Sequence, residues 1–368
     1  MIVYRIQKTK PAPTQDTYMS LLVYGSYGYT GSLIAREAVD RGVSITLAGR
    51  NRDRLREQSN DLDRPFEAVS LDDADRLERV VANHDAVLHC AGPFSETAEP
   101  MVEACLAGGT DYLDITGEYT VLEAIAGRDE AAAEAGVTLL PAVGFDVVPT
   151  DCLAAHLADR LPSADRLALG IAVEGGLSPG TAKTAVEQVE TAGVVRRDGE
   201  LRSVSPAWRT RRIDFGGTVS TRSAVSMPMG DITTAYHSTG IPNVEVYVAA
   251  PRRAIRLVEA MDRLKPVLGV SSVKGVLRWL IERTVTGPDA DERERGSARI
   301  WGEATAGDER VVSRLDVPET YAFTVDAATT VAERVLDGGV DAGFRTPSSA
   351  LGADFVLDLD GVERTDVA

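Results

Sequence analysis

The residues best spaced for chemistry are Leu21-Leu22-Val23-Tyr24-Gly25-Ser26-Tyr27-Gly28-Tyr29-Thr30-Gly31. A short apolar run ends in Gly-x-x-Gly-x-x-Gly, and a helical period follows at once. Strand, glycine turn and helix N-terminus together form a phosphate cradle, because backbone N–H groups and the helix dipole both favour an anion there. Gly25, Ser26, Tyr27, Gly28, Tyr29, Thr30 and Gly31 are the candidate contacts. The glycines serve the tight turn, the close approach of phosphate and the packing of the helix. A merely structural turn is the bland alternative.

The end of the second strand selects the nucleotide. An NAD site places Asp or Glu about 20 residues on, to hold the ribose 2′-OH. This chain reads Ala48-Gly49-Arg50-Asn51-Arg52, with no carboxylate. Arg50 and Arg52, on either side of Asn51, suit a 2′-phosphate, since a planar guanidinium binds phosphate bidentately. The expected cofactor is therefore NADP(H); a surface arginine flanking a helix is the alternative. Ala91, Gly92 and Pro93 follow the fourth strand, where a loop passes near the nicotinamide ribose. Gly144-Phe145-Asp146 follows the sixth, so Asp146 either faces the nicotinamide or caps the next helix.

Other constellations point away from chemistry. Gly176-Leu177-Ser178-Pro179-Gly180 has the letters of a nucleophile elbow. The oxyanion hole needs the N–H after the serine, and Pro179 has none. The Tyr-x-x-x-Lys pair of short-chain reductases occurs only as Tyr4 and Lys8, upstream of the nucleotide fold. Arg196, Arg197, Arg202, Arg209, Arg211 and Arg212 cluster in an acidic chain; they either receive an anionic substrate or pair with carboxylates. Residues 267–281 are helical in period and apolar, as for a core or dimer helix or one that touches a membrane surface or lipid. Tyr236 and His237 are titratable candidates for proton donation.

Composition narrows the class. The chain has 368 residues, 44% hydrophobic and 26% charged, enough for two globular domains. A net charge of −17 argues against a nucleic-acid partner. Five of the 39 basic residues are lysine, which fits salt adaptation and equally an acidic protein from a GC-rich genome. Three cysteines without C-x-x-C and four scattered histidines support neither a disulfide framework nor a metal site. Neither a signal peptide nor a run of 18 apolar residues is evident, so the expected location is cytoplasmic.

The elements that must position these residues alternate from residue 20 to 150. Strands are expected at 21–24, 43–48, 66–69, 86–90, 112–115 and 137–141. Helices are expected at 30–39, 52–62 and 74–81, around Met101 and Cys105, and in one Ala/Glu-rich stretch running to Ala135. Such β-α repetition implies α/β architecture: a Rossmann-type, doubly wound parallel sheet. After Pro149 the pattern becomes α+β. A helix at 152–161, a strand at 167–173 and a helix at 181–192 precede antiparallel candidates at 219–226 and 244–249. Beyond an exposed charged loop at 289–295, strands at 297–304 and 311–317 precede a helix at 320–336, and a last strand follows Leu351. The expected division is a disordered tail at 1–18 (with a start at Met19 plausible), a nucleotide domain at 19–150, a second α+β domain at 151–317 for substrate or dimerisation, and a C-terminal segment at 318–360.

Together these stretches resemble the saccharopine dehydrogenase-like oxidoreductases, and within them the trans-acting enoyl reductase branch. The carrying residues are Tyr24–Gly31, Ala48-Gly49-Arg50, Ala91-Gly92-Pro93-Phe94, residues 109–118 and Gly144-Phe145-Asp146, with weaker echoes at Tyr236, 238–243 and Thr346-Pro347. The resemblance implies an NADP-binding Rossmann domain and a C-terminal helix that returns to it. It further implies hydride transfer to or from a C=C, C=N or C=O group, with lipid-linked enoyl substrates in that branch. A non-catalytic NADP(H)-binding protein and a peripheral membrane protein are the alternative classes.

Overall fold

A computed structural model of the protein describes residues 19–173, 193–205, 207–217, 220–253, 255–256 and 296–367. The 1–18 tail, the 176–180 motif, the helices expected at 181–192 and 267–281 and the 289–295 loop lie outside the described residues.

The first sheet is built by β1 (Ser20–Tyr24), β2 (Ser44–Gly49), β3 (Phe66–Ala68), β4 (Ala86–His89), β5 (Asp111–Asp114), β6 (Thr138–Leu140) and β15 (Gly343–Phe344). Its spatial order is β15-β6-β5-β4-β1-β2-β3, and every pairing is parallel. The order from β3 to β6 is the 3-2-1-4-5-6 arrangement of dinucleotide-binding folds. Alternate residues of each strand enter different cores. Leu21 and Val23 face one, and Leu22 and Tyr24 the other. Both faces are therefore covered, as a parallel sheet requires.

The helices follow from the strands they connect: α1 (Tyr29–Asp40), α2 (Arg52–Leu62), α3 (Ala74–Val81), α4 (Phe94–Gly108), α5 (Tyr119–Ala126) and α6 (Asp129–Ala135). The single helix expected up to Ala135 is two. Gly127 ends α5 and Arg128 precedes α6, because glycine is a poor helix former and lets the chain turn. The parallel strand β15 also escaped the sequence reading: two residues carry no period.

The second sheet runs β10-β11-β12-β7-β13-β14-β16, with a β8–β9 hairpin attached to β12. Its strands are β7 (Arg166–Val173), β8 (Gly193–Arg197), β9 (Glu200–Val204), β10 (Thr210–Asp214), β11 (Thr221–Ser226), β12 (Asn243–Ala249), β13 (Ala298–Ala306), β14 (Glu309–Val317) and β16 (Glu363–Val367). One face, with Leu167, Leu169, Ile171, Val246 and Ile300, is packed by α7 (Val148–Arg160) and α8 (Asp231–Thr239). Helix α9 (Thr320–Leu336) lies against α1: Arg41 of the α1 C-terminus pairs with Asp326 at 2.6 Å and Glu333 at 3.4 Å. Phe323, Ala327, Val331 and Val335 of α9 enter the same core as α1 and the second sheet. One continuous apolar core thus fixes the carboxyl edge of the first sheet against α7 and α8.

Candidate functional site

The glycine turn leaves β1 under tight constraint. Gly25 has φ +82°, and a Cβ there would sit 2.8 Å from the backbone N of Ala91. A Cβ on Gly31 would run into the carbonyl of Gly25. Both positions therefore require glycine: the first for its left-handed backbone, the second for close approach. Gly25 N–H donates to Ala48 O at 2.8 Å, so the turn is tied to β2. Helix α1 then begins at Tyr29 with neither a side-chain cap nor an acidic residue in its first turn. Its first N–H groups and its dipole are left for an anion. The Ser26 side chain is buried and donates to Gln58 Oε1 at 2.8 Å, so it braces the turn from within.

At the end of β2, Arg50 is exposed and forms no ion pair among the described residues. Asn51 caps α2: its side chain accepts from the N–H groups of Asp53 and Arg54, each at 3.1 Å. The Tyr27 ring lies on Gly49 and its hydroxyl accepts from Asn51 N–H at 3.1 Å. Arg54 stacks over that ring, 4.7 Å from its centroid, and donates to Tyr27 O at 2.9 Å. Arg54 is thus brought beside the strand end with Arg50.

The ends of β4, β5 and β6 form the other half of the cleft. Gly92 and Pro93 are exposed, and the loop is braced from behind: Thr97 Oγ1 donates to Ala91 O at 2.6 Å and meets His89 Nε2 at 3.1 Å. Burial drives the His89 pKa down to about 3, so the ring is neutral. Phe94 N–H donates to Glu118 Oε1 at 3.2 Å, which links this loop to the one after β5. Asp114 closes β5 and accepts from Tyr112 Oη and the N–H groups of Thr116 and Ala142 at 2.7–2.9 Å. Burial nevertheless raises its pKa to about 6. Asp146 is open to solvent, and its Oδ2 lies 2.6 Å from where a Gly117 Cβ would stand. The neighbouring Phe145 N–H donates to Thr324 Oγ1 of α9 at 3.1 Å. Tyr29, 57% exposed, meets Tyr321 of α9 edge to face at 5.0 Å. The cleft is therefore rimmed by the glycine turn, the Ala91–Pro93 loop, Gly117, Asp146 and the start of α9.

Other candidates lie elsewhere. Tyr236 and His237 occupy the C-terminal half of α8, about 7–9 Å along the axis from its first residue. Tyr236 lies under Arg196, and His237 packs on Phe344 of the edge strand β15. The arginine cluster is largely paired. Arg196 binds Glu123 and donates to Ile232 O and Gly199 O, both at 2.7 Å. Arg197 and Arg209 share Glu245, Arg211 binds Glu303, and Arg202 binds Glu200. Among the described residues, no helix is long and apolar enough to cross a membrane.

Comparison with known proteins agrees with this geometry. The saccharopine dehydrogenase NADP binding domain model matches residues 21–140. A probable mitochondrial saccharopine dehydrogenase-like oxidoreductase of Arabidopsis thaliana is 33% identical over 159 residues, 39% of this chain and 34% of that protein. A Mycobacterium tuberculosis protein provisionally named trans-acting enoyl reductase is 27% identical over 399 aligned positions, 94% of this chain and 90% of its own. The fold also resembles apo saccharopine dehydrogenase (L-Glu forming) from Saccharomyces cerevisiae, with a TM-score of 0.64 at 14% identity, covering 95% of this chain and 100% of that one. Residues 21–140 thus match the NADP binding domain of saccharopine dehydrogenase, and the chain is similar to saccharopine dehydrogenase-like oxidoreductases and trans-acting enoyl reductases.

Proposed function

We infer that the protein is an NADP(H)-dependent reductase of a C=C, C=N or C=O bond, with a lipid-linked enoyl group as the first substrate class to test. The observation that carries the cofactor part is the pairing of an uncapped, acid-free α1 N-terminus with an arginine-bearing, acid-free β2 end. In this reading Gly25–Gly31 hold the pyrophosphate, Arg50 with Arg54 holds the 2′-phosphate, and Ala91–Pro93 flank the nicotinamide ribose. The bound cofactor supplies the hydride. Asp146 supplies the proton in this reading, because it is the solvent-open acid at the β6 end. The enoyl class is supported by the relative named for that activity, whose match spans nearly the whole chain.

Turnover tests this reading: loss of reduced-nicotinamide absorbance with a panel of enones, enoyl thioesters, imines and ketones. Oxidation of NADPH coupled to reduction of an enoyl thioester is the expected result. NADPH binding without turnover across the whole panel overturns the reading and leaves a non-catalytic NADP(H)-binding protein. Flotation with liposomes tests the lipid-linked part, and failure to float removes membrane contact from it.

A further inference from the structure

The β5–β6 pairing runs as a parallel ladder to Leu113 and Leu140. Beyond that point one residue takes over the register. Asp114 closes β5 and is fully buried. Its carbonyl accepts from Val143 N–H at 2.8 Å. Its Oδ1 accepts from two backbone donors, Thr116 N–H at 2.9 Å on the β5 loop and Ala142 N–H at 2.7 Å on the β6 loop. Its Oδ2 accepts from the Tyr112 hydroxyl at 2.7 Å. Thr116 and Ala142 are each 1% exposed, so neither N–H has water to replace the oxygen it meets. Ala142 also has φ +60°, a left-handed backbone that a residue with a Cβ adopts at a cost. The bond to Asp114 Oδ1 holds it there.

Both donors lead directly to the cleft. Gly117 follows Thr116, and Asp146 lies four residues after Ala142. These two residues touch: a Cβ on Gly117 would stand 2.6 Å from Asp146 Oδ2 and 2.9 Å from Asp146 Cβ. The far sides of the two loops are fixed independently. Gly117 O accepts from Gly230 N–H at 3.0 Å. Phe145 N–H donates to Thr324 Oγ1 at 3.1 Å, and Thr324 donates in turn to Thr320 O at 2.8 Å. Glu118 N–H donates to Thr116 Oγ1 at 3.2 Å, which carries the same register on to the glutamate that meets Phe94 N–H. A single oxygen atom thus stands at the root of both halves of the Asp146–Gly117 contact.

We propose that Asp114 is a positioning residue: through Oδ1 it sets the β5 and β6 loops in register and so holds Asp146 against Gly117 at the cleft. Its consequence for turnover rests on the reductase reading, in which Asp146 gives the proton. Asp114 is sealed in the protein, so it acts through the backbone of the two loops. What the role requires is an acceptor at the Oδ1 position. Asparagine keeps that oxygen, and its amide can donate to the Tyr112 hydroxyl, which accepts as readily as it donates. Alanine keeps neither contact and leaves two buried N–H groups without a partner.

Hydrogen–deuterium exchange of the full chain without cofactor reads the register directly. Asp114→Ala should speed exchange across residues 115–118 and 141–147, and Asp114→Asn should restore the slow rates. Unchanged exchange in Asp114→Ala, or no recovery in Asp114→Asn, overturns the proposal. If Asp114→Ala does not fold, Asp114→Glu takes its place, since it keeps the charge but displaces the oxygen, and the same loss of protection is expected. With a substrate that the wild type reduces, Asp114→Ala should lower kcat by roughly 10- to 100-fold, as misplacing a reacting group by about 1 Å does. NADPH affinity should change far less, because the phosphate contacts lie at the ends of β1 and β2. Asp114→Asn should recover most of kcat. A loss confined to NADPH affinity, or equal losses of kcat in the two variants, also overturns the positioning role. A wild type that reduces nothing defeats the reductase reading instead, and the exchange rates then decide the register alone.

Discussion

At the scale of single residues, the cofactor half of the cleft is governed by what is left out. Gly31 carries no Cβ because the Gly25 carbonyl occupies that space. Gly31→Ala should cost roughly 1–3 kcal/mol, as forced overpacking does. It should also weaken NADPH binding, because relief of the clash displaces the turn; unfolding curves and binding titrations check both. Arg50 is proposed for the 2′-phosphate from its type and its place after β2. Arg54 was not singled out, because only the stacking on Tyr27 brings it to the strand end. Asp231, the fully buried first residue of α8, was illegible for a different reason. Nothing local distinguishes an aspartate that starts a helix from an ordinary first-turn acid until its burial is seen. Its pH signature is predictable. The folded chain holds the Asp231 proton up to about pH 8, whereas an unfolded carboxyl releases it near 4. The stability this group contributes is full below about pH 4 and is lost as pH rises through 8. Asp231→Asn should therefore gain stability relative to wild type as pH rises from 5 to 8, by up to a few kcal/mol. Denaturant midpoints that change in parallel for the two proteins would contradict this.

At the scale of elements, the strands and helices of the first 150 residues were readable because each carries its own period. β1 and β4 are short apolar runs, and α2, α3 and α9 run as the periodicity implies. What failed to show was structure held by partners. β15 exists because Gly343 and Phe344 pair with Thr138 and Leu139. β8 and β10 carry Arg196, Arg197 and Arg211, whose charges are met by Glu123, Glu245 and Glu303, distant in sequence. Arg196 is the clearest of these ties, since it joins β8 to α5 and to the backbone of α8. Arg196→Ala should destabilise by roughly 3 kcal/mol, the low end for unpairing a buried ion, because the Glu123 side chain is 33% exposed. Arg196→Lys should recover only part of that, since an ammonium cannot reach three acceptors in a plane. Thermal unfolding of the two variants measures the difference.

At the scale of the whole molecule, a single apolar core spans the first sheet, α1, α9, α7 and one face of the second sheet. The cleft is therefore set by packing of both sheets, with α9 returning from the far end of the chain to seat Phe145 and Tyr29. The fold supplies the cofactor side from residues 21–140 and the remaining wall from residues that have no motif of their own. That division explains why the cofactor could be read from sequence while the substrate could not. The central claim is that this cleft is an NADP site governed by Arg50. The direct measurement is the ratio of NADPH to NADH affinities by calorimetry, in the wild type and in Arg50→Glu. Hydrogen bonds to a charged group contribute about 1.5–3 kcal/mol, so NADPH should bind about 10- to 100-fold tighter than NADH to the wild type, and Arg50→Glu should abolish that preference. Equal affinities in the wild type, or a preference unchanged by Arg50→Glu, would contradict the account.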